Sequence, residues 1–247
     1  MAIGATGRVE QFKTEAARAG AVVYEAKDAK DASAYVLKVA QERGVKYIVK
    51  SKSMLAERIE LREQLEDAGI EVRETDIAEW IIQLAGERPA HADYVVPPKT
   101  IEQVAELISK ATGEQLEADP QALSIAARRA LRQFYINADM GISEASIAIA
   151  ETGTLVITSN EGNDRLVAVL PPIHVTMVDC EELVSTMEDA TTRLKHLNKT
   201  LTDRKMPSYV TYITGRNTTG DIPGALMARA QGPDEEHIVL VHRAASK

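Results

Sequence analysis

The chain of 247 residues contains one cysteine, Cys180. A disulfide within the chain is therefore excluded. So is an iron–sulfur cluster held by this chain alone, since such a cluster normally takes four thiolates. A lone cysteine is more often a small buried hydrophobe than a nucleophile, and a reducing cytoplasm is the expected compartment. Basic residues are also short. Lys and Arg number 29 against 37 Asp and Glu, giving a net charge of -8. The basic residues are interspersed with acidic ones, so no surplus is available to neutralise phosphates, and nucleic acid is not an expected partner. No apolar run approaches the ~20 residues that span a bilayer, and MAIGATGRVEQFK has none of the basic-then-apolar pattern of a secretory signal. Gly-x-Gly-x-x-Gly, Walker A, Gly-x-Ser-x-Gly and His-Glu-x-x-His motifs are all missing. The five histidines (His91, His174, His196, His237 and His242) are dispersed without metal-ligand spacing, so a catalytic metal site is disfavoured unless the fold brings carboxylates together, and no metal is expected from the histidines.

What is present reads as an ordinary globular chain, 45% hydrophobic and 27% charged. Helical and strand patterns alternate in the first half: a helix over 8–20, a strand over 21–26, a helix over 28–43 stopped by Gly44, and a strand over 45–50. A helix from Ser53 to Gly69 carries Leu55, Ile59, Leu61 and Leu65, and a third strand, IEVRET, follows it. Strands separated by helices of this length predict crossover units and a parallel sheet. VKYIVK shows no alternation, as expected of a strand buried on both faces. A proline-containing connector over 87–100 leads to a helix capped by Thr100, and Asp119-Pro120 opens another running to about Ala138. Their apolar faces predict a packed helical insertion over 97–138. The second half, 139–243, is richer in strands. ASIAIAET and GTLVITSN meet at a hairpin turn, RLVAVL and HVTMVD read as strands, a helix spans 181–198, and SYVTYIT and EHIVLVH close the sheet. With 7–44 as a lead-in, the whole of 1–247 is expected to form one α/β domain, a mostly parallel sheet flanked by helices.

Four polar loops follow strands. Lys50, Ser51, Lys52 and Ser53 enter a helix, where backbone N–H groups and a lysine suit an anion. Glu74-Thr75-Asp76, the knot SNEGND at Ser159–Asp164, and TGRNTTGD at Thr214–Asp221 complete the set. Open α/β sheets gather ligands at strand carboxyl ends, so these loops together are the expected site. The alternative for each loop alone is simple turn and cap chemistry. Asn160, Gly162 and Asn163 present amides and backbone N–H groups to a carboxylate or phosphate, with Arg165 as the bidentate partner. In the other loop the candidates are Thr214, Gly215, Thr218, Thr219 and Asp221. Glu151, at the hairpin turn, is either a general base or a cap, and His174 is either an acid/base or a hydrogen-bonded structural histidine.

Several segments carry a family resemblance: VKSKSM at Val49–Met54, EDAGIEVRETDIAEWIIQLAGERPAH at Glu66–His91, IAETGTLVITSNEGNDRL at Ile149–Leu166, LPPIHVTMV at Leu170–Val178, TMEDA at Thr186–Ala190, YITG at Tyr212–Gly215 and GPDEEHIVLV at Gly232–Val241. In this order they resemble the LUD-domain family, named for lactate utilisation, and in particular the N-terminal part of its iron–sulfur members. The resemblance implies a NagB/RpiA/CoA-transferase-like fold. It also implies a place in a complex that oxidises L-lactate to pyruvate, with electrons passing through partner iron–sulfur proteins. Other lactate-utilisation subunits, cysteine-rich and LUD proteins, are the partners it implies. Cysteine-rich runs would follow after about Arg243, so clusters are expected only there or in partner subunits, and no cofactor is expected in this chain. Two departures stand out. TGRNTTGD replaces a family pattern similar to Gly-Pro-Ser-x-Thr-Ala-Asp-Ile, and Gln231 stands before Gly232-Pro233 where histidine is common. The competing expectation is a stand-alone enzyme or ligand-binding domain for a small carboxylate or phosphorylated metabolite, as in sugar-phosphate isomerases and CoA transferases.

Overall fold

A computed structural model describes residues 4–87, 99–201, 206–228 and 230–242. In chain order the elements are α1 (Ala5–Arg18), β1 (Val22–Ala26), α2 (Ala29–Glu42), β2 (Tyr47–Lys50), α3 (Met54–Arg58), α4 (Leu61–Asp67), β3 (Glu71–Glu74), α5 (Ile77–Leu84), α6 (Ile101–Thr112), α7 (Pro120–Asn137), β4 (Met140–Glu144), β5 (Ile147–Ile149), β6 (Thr154–Ser159), α8 (Asn163–Val169), β7 (Ile173–Asp179), β8 (Leu183–Val184), α9 (Met187–Leu201), β9 (Tyr209–Ile213), β10 (Thr218–Thr219), β11 (Met227–Ala228) and β12 (Glu235–Val241). Six of the strands form a parallel sheet in the order β1-β12-β7-β4-β2-β3. A second sheet, β8-β5-β6-β9, is mixed, and β10 pairs with β11 alone.

Strand alternation assigns the two faces of the large sheet. Ile173, Val175 and Met177 of β7 join Val239 and Val241 of β12 in a core with α2, α3 and α4. Val178, Ile238 and Leu240 point the other way, into a core with Phe12 of α1 and Leu155 of the second sheet. Val49 of β2 meets α5, α6, α7 and α8 around Trp80. Every residue of β7 is buried, as expected of a strand covered on both faces. Helices α6 and α7 pack in that third core, α6 entered through the Thr100 capping box and α7 through the Asp119 N-cap with Pro120 behind it. The connector expected over 87–100 lies almost wholly outside the described residues.

Four sequence expectations need correction. RLVAVL is the body of helix α8 and not a strand; a six-residue apolar run cannot choose between the two by periodicity alone. The helix from Ser53 breaks into α3 and α4 at Glu60, which has φ 51. Ile59 and Leu61 are both buried, and two positions apart on one helix they could not share a face. The helix expected from Glu181 starts instead at Met187, because a 3-10 turn (Cys180–Glu182) and β8 come first, with Leu183 paired to Ala148 of β5. Finally, SYVTYIT and EHIVLVH do not close one sheet: β9 belongs to the small sheet and β12 to the large one.

Candidate functional site

The parallel strands β2, β3 and β4 leave their carboxyl ends on one edge, at Lys50, Glu74 and Glu144. Lys50 and Glu74 are register partners, so their side chains leave the sheet together on one face. The Lys50 side chain is fully buried, and its Nζ donates to Glu57 Oε1 at 2.9 Å and to the two Glu74 oxygens at 3.1 and 3.0 Å. Glu79 Oε2 lies 3.7 Å away. Oxygens of Glu57, Glu74 and Glu79 fall within 4.8 Å of one another, close enough to share a single cation. That cation is the Lys50 ammonium itself. Burial works against its charge, yet Glu74, Glu79 and Glu57 together raise its pKa above the ordinary lysine value. Arg62 stands behind, with Nε 3.9 Å from Glu74 and Nη2 3.8 Å from Glu63.

Beside this box, Ser53 caps α3. Its hydroxyl accepts the Ala56 N–H at 2.9 Å and donates to Glu144 Oε2 at 2.7 Å, an oxygen that also takes the Leu55 N–H at 2.9 Å. Burial raises the Glu144 carboxyl in spite of these two bonds.

The knot closes over the same edge. Ser159 Oγ accepts the Gly162 N–H at 3.0 Å and donates to Asn163 Oδ1 at 3.2 Å. Asn163 Nδ2 donates to Thr75 Oγ1 at 3.2 Å, and Thr75 donates in turn to the Lys50 carbonyl at 2.9 Å. Gly162 takes the left-handed φ of 84 needed to start α8. Glu161 Oε2 accepts the Ile77 N–H at 3.2 Å, at the start of α5, whose N-cap is Asp76. Although Glu161 is exposed as a residue, the protein crowds its carboxyl. That burial, followed by the charge of Asp76 and then of Asp164, pushes its pKa up to about 7 against the pull of the Ile77 N–H and Lys52. Burial likewise raises Asp76 and Asp164, the latter restrained by the hydroxyls of Ser159 and Ser51. A carboxyl poised near neutrality next to a lysine can take or give a proton.

The remaining candidates lie elsewhere. On the outer side of the knot, Asn160 Oδ1 accepts the Ser208 N–H at 3.2 Å, and the exposed Arg165 guanidinium sits 5.3 Å from the centroid of the Tyr209 ring. The loop from Thr214 to Asp221 is at the opposite edge of the sheet. Thr214 bonds Thr154 at 2.8 Å, the Arg216 N–H after Gly215 donates to the Ala19 carbonyl at 3.2 Å, and Asn217 Nδ2 donates to the Pro233 carbonyl at 2.7 Å. Ala19 and Pro233 precede β1 and β12, so this is where the parallel strands begin. Thr218 sits on β10, while Thr219 turns its hydroxyl to Asp221 at 3.0 Å. The four loops therefore do not make one site: three converge at the carboxyl edge and one does not.

Glu151 is exposed and its carboxylate accepts the Met187 N–H at 2.8 Å, capping α9. His174 is completely buried between strands. Its Nε2 meets Ser143 Oγ of β4 at 2.8 Å, its Nδ1 meets Glu236 Oε2 of β12 at 2.8 Å, and Thr176 Oγ1 donates to Glu236 Oε1 at 3.2 Å. The order serine–histidine–carboxylate is that of a nucleophilic triad, but Ser143 and His174 have no exposed surface. Cys180 is half-buried with Sγ 3.7 Å from His242 Nε2, and burial, Glu25 and Asp179 push its thiol up to about 12. It remains protonated at neutral pH and is a poor nucleophile.

Reasoning from the sequence missed Glu57, Glu79, Glu144, Glu161, Ser143 and Glu236 as members of these clusters. Some signals were there: Ser143 and Glu144 end the strand GISE, and Glu235 and Glu236 open EEHIVLV, in strands where an apolar residue is the ordinary choice. The pairing of Lys50 with Glu57 and Glu79 had none, since it depends on how α3 and α5 leave the sheet.

Lactate utilization protein B of Oceanobacillus iheyensis is 34% identical over 239 residues, covering 97% of this chain and 48% of that protein. The proteins of the same name from Geobacillus kaustophilus and Bacillus subtilis are each 36% identical over 234 residues, covering 94% of this chain and 47% of theirs. The chain thus spans about half the length of the curated relatives it matches. A crystal structure of a DUF162 family protein from Deinococcus radiodurans aligns over 97% of this chain and 99% of that one, with TM-score 0.49 and 11% identity. The family model described as the LUD domain matches residues 9–241, and the chain belongs to the LUD domain family.

Proposed function

We propose that this chain works in L-lactate utilisation as the LUD part of an assembly that oxidises L-lactate to pyruvate and passes the electrons to iron–sulfur partner proteins. The observation that carries this reading is the match, over 94–97% of the chain, to proteins named for lactate utilisation. Oxidising a 2-hydroxy acid removes two electrons and two protons. In this reading the two electrons go to the iron–sulfur partners. Glu161 suits the hydroxyl proton, the Cα hydrogen leaves with the electron pair and its proton is released at the partner proteins' acceptor, and Lys52 beside Glu161 suits the substrate carboxylate. Arg165, on the outer side of the knot, is the second cation offered to that carboxylate.

The test is to purify the tagged chain from lactate-grown cells with its bound proteins and follow L-lactate-dependent reduction of an artificial electron acceptor. The reading expects cysteine-rich partners in the preparation and loss of lactate-dependent reduction when this chain is omitted. A chain that purifies alone, and lactate oxidation at full rate without it, would contradict the reading. A second reading, a small-metabolite enzyme complete in itself, is favoured by the titratable rim at the strand ends. It expects turnover of a small hydroxy acid or sugar phosphate by the isolated chain.

A further inference from the structure

The two larger sheets have four outer strands, and three of them carry a feature that discourages further pairing. On β1 it is the charge of Glu25, bonded to Lys13 and His242. On β3 it is Glu71 and Arg73, and β8 is only two residues long. β9 has none of these. It runs for five residues, YVTYI, without a charge, a proline or a glycine, and Tyr209 and Tyr212 leave 39% and 45% of their surface exposed.

The register shows which backbone groups of β9 are left over. Val156 of β6 turns its carbonyl to β5, where it accepts the Ser146 N–H at 2.9 Å. Its neighbours Leu155 and Ile157 therefore turn theirs to β9, and their partners Ile213 and Thr211 face back to β6. The N–H and C=O groups of Val210 and Tyr212 point out of the sheet. Among the described residues no strand pairs with them.

We propose that β9 pairs antiparallel with β9 of a second copy of this chain, about a two-fold axis at Thr211. Val210 then lies opposite Tyr212 of the second copy, twice over by symmetry. Each such pair exchanges two N–H···O bonds through the outward groups and sets an aromatic ring against a β-branched side chain. Between them the two Thr211 residues meet in the closely spaced, non-hydrogen-bonded position. The contact is self-complementary and closes at two copies. Charge selects this occupant. The chain carries -8, so two copies repel over most approaches, whereas the segment from Pro207 to Gly215 holds no charged residue at all. The pairing also reaches the knot. Ser208 donates its N–H to Asn160, and the Tyr209 ring lies against Gly162, where an added Cβ would come within 3.0 Å of it. A paired β9 thus holds the outer wall of the knot in both copies.

The experiment measures the mass of the purified chain by sedimentation equilibrium. The samples are wild type, Thr211→Lys, Thr211→Glu, and the two variants mixed in equal amounts. Wild type should have twice the chain mass. Like charges directly opposite each other at the axis should halve the mass of each variant. The mixture sets lysine against glutamate and should return to twice the chain mass. Circular dichroism shows whether each variant is folded. Should one of them not fold, Tyr212→Pro takes its place; it removes an outward N–H and no bond to β6, and should have the single mass. A wild type of single mass overturns the proposal, including one that pairs only with a different protein. Variants that keep twice the mass overturn it too, because the copies then meet elsewhere. A mixture that stays at the single mass overturns the pairing about Thr211.

Discussion

Two polar clusters are buried in one parallel sheet, and they are built on different principles. The Lys50 box, at the carboxyl ends of β2 and β3, is ionic: one ammonium is ringed by three carboxylates. The His174 cluster lies near the start of β7 and is a hydrogen-bonded chain across three neighbouring strands, from Ser143 through His174 to Glu236, with Thr176 closing it. In the second cluster each polar atom finds a partner one strand away, so the register of β4, β7 and β12 and the chain of bonds specify each other. In the first, the partners come from helices α3 and α5 that leave the sheet edge, so the cluster ties the sheet to the loops of the rim. One cluster fixes the sheet. The other fixes the ground on which the knot stands.

The comparison can be broken most severely at Lys50. Lys50→Met should cost about 3–5 kcal/mol in denaturant unfolding, because it leaves buried carboxylates without their cation. An effect below about 1 kcal/mol would mean that protons or water replace the ammonium without penalty. Glu236→Gln comes next, at about 1–3 kcal/mol, since it keeps the shape but disturbs the acceptors that His174 and Thr176 use. Asn163→Ala cuts the tie to Thr75 and should cost about 1 kcal/mol, read in the same unfolding experiment. Arg165→Ala is the mildest. Its guanidinium is exposed over Tyr209, so stability should stay within about 0.5 kcal/mol, while lactate affinity measured by calorimetry on the assembly should fall about tenfold.

Much of this arrangement was legible in the residues, and the reasons for the misses are physical. Lys50-Ser51-Lys52-Ser53, Glu74-Thr75-Asp76 and the knot do meet, because strand carboxyl ends in a parallel sheet share an edge and the β2–β3 pairing sets Lys50 beside Glu74. The loop from Thr214 misses that edge because β9 runs in a second sheet, antiparallel to β6, and so delivers its end to the opposite side. Nothing in SYVTYIT distinguishes the two sheets. RLVAVL was misread for a related reason: helix and strand are equally compatible with six residues of that kind, and Gly162, which sets the entry to α8, also fits a hairpin turn. Lys50 looks from its neighbours like an anion ligand after a strand. Three glutamates that are distant in sequence or on other elements give it a different role.

The chemistry proposed for the rim above the box rests above all on Glu161. The most direct measurement is L-lactate-dependent acceptor reduction by the intact assembly carrying Glu161→Gln, beside wild type and followed from about pH 5.5 to 8.5. Removing a positioned proton acceptor should lower the rate by about 100-fold or more and erase the rise in wild-type rate near pH 7. A Glu161→Gln assembly that matches wild type in rate and in pH profile would contradict the account.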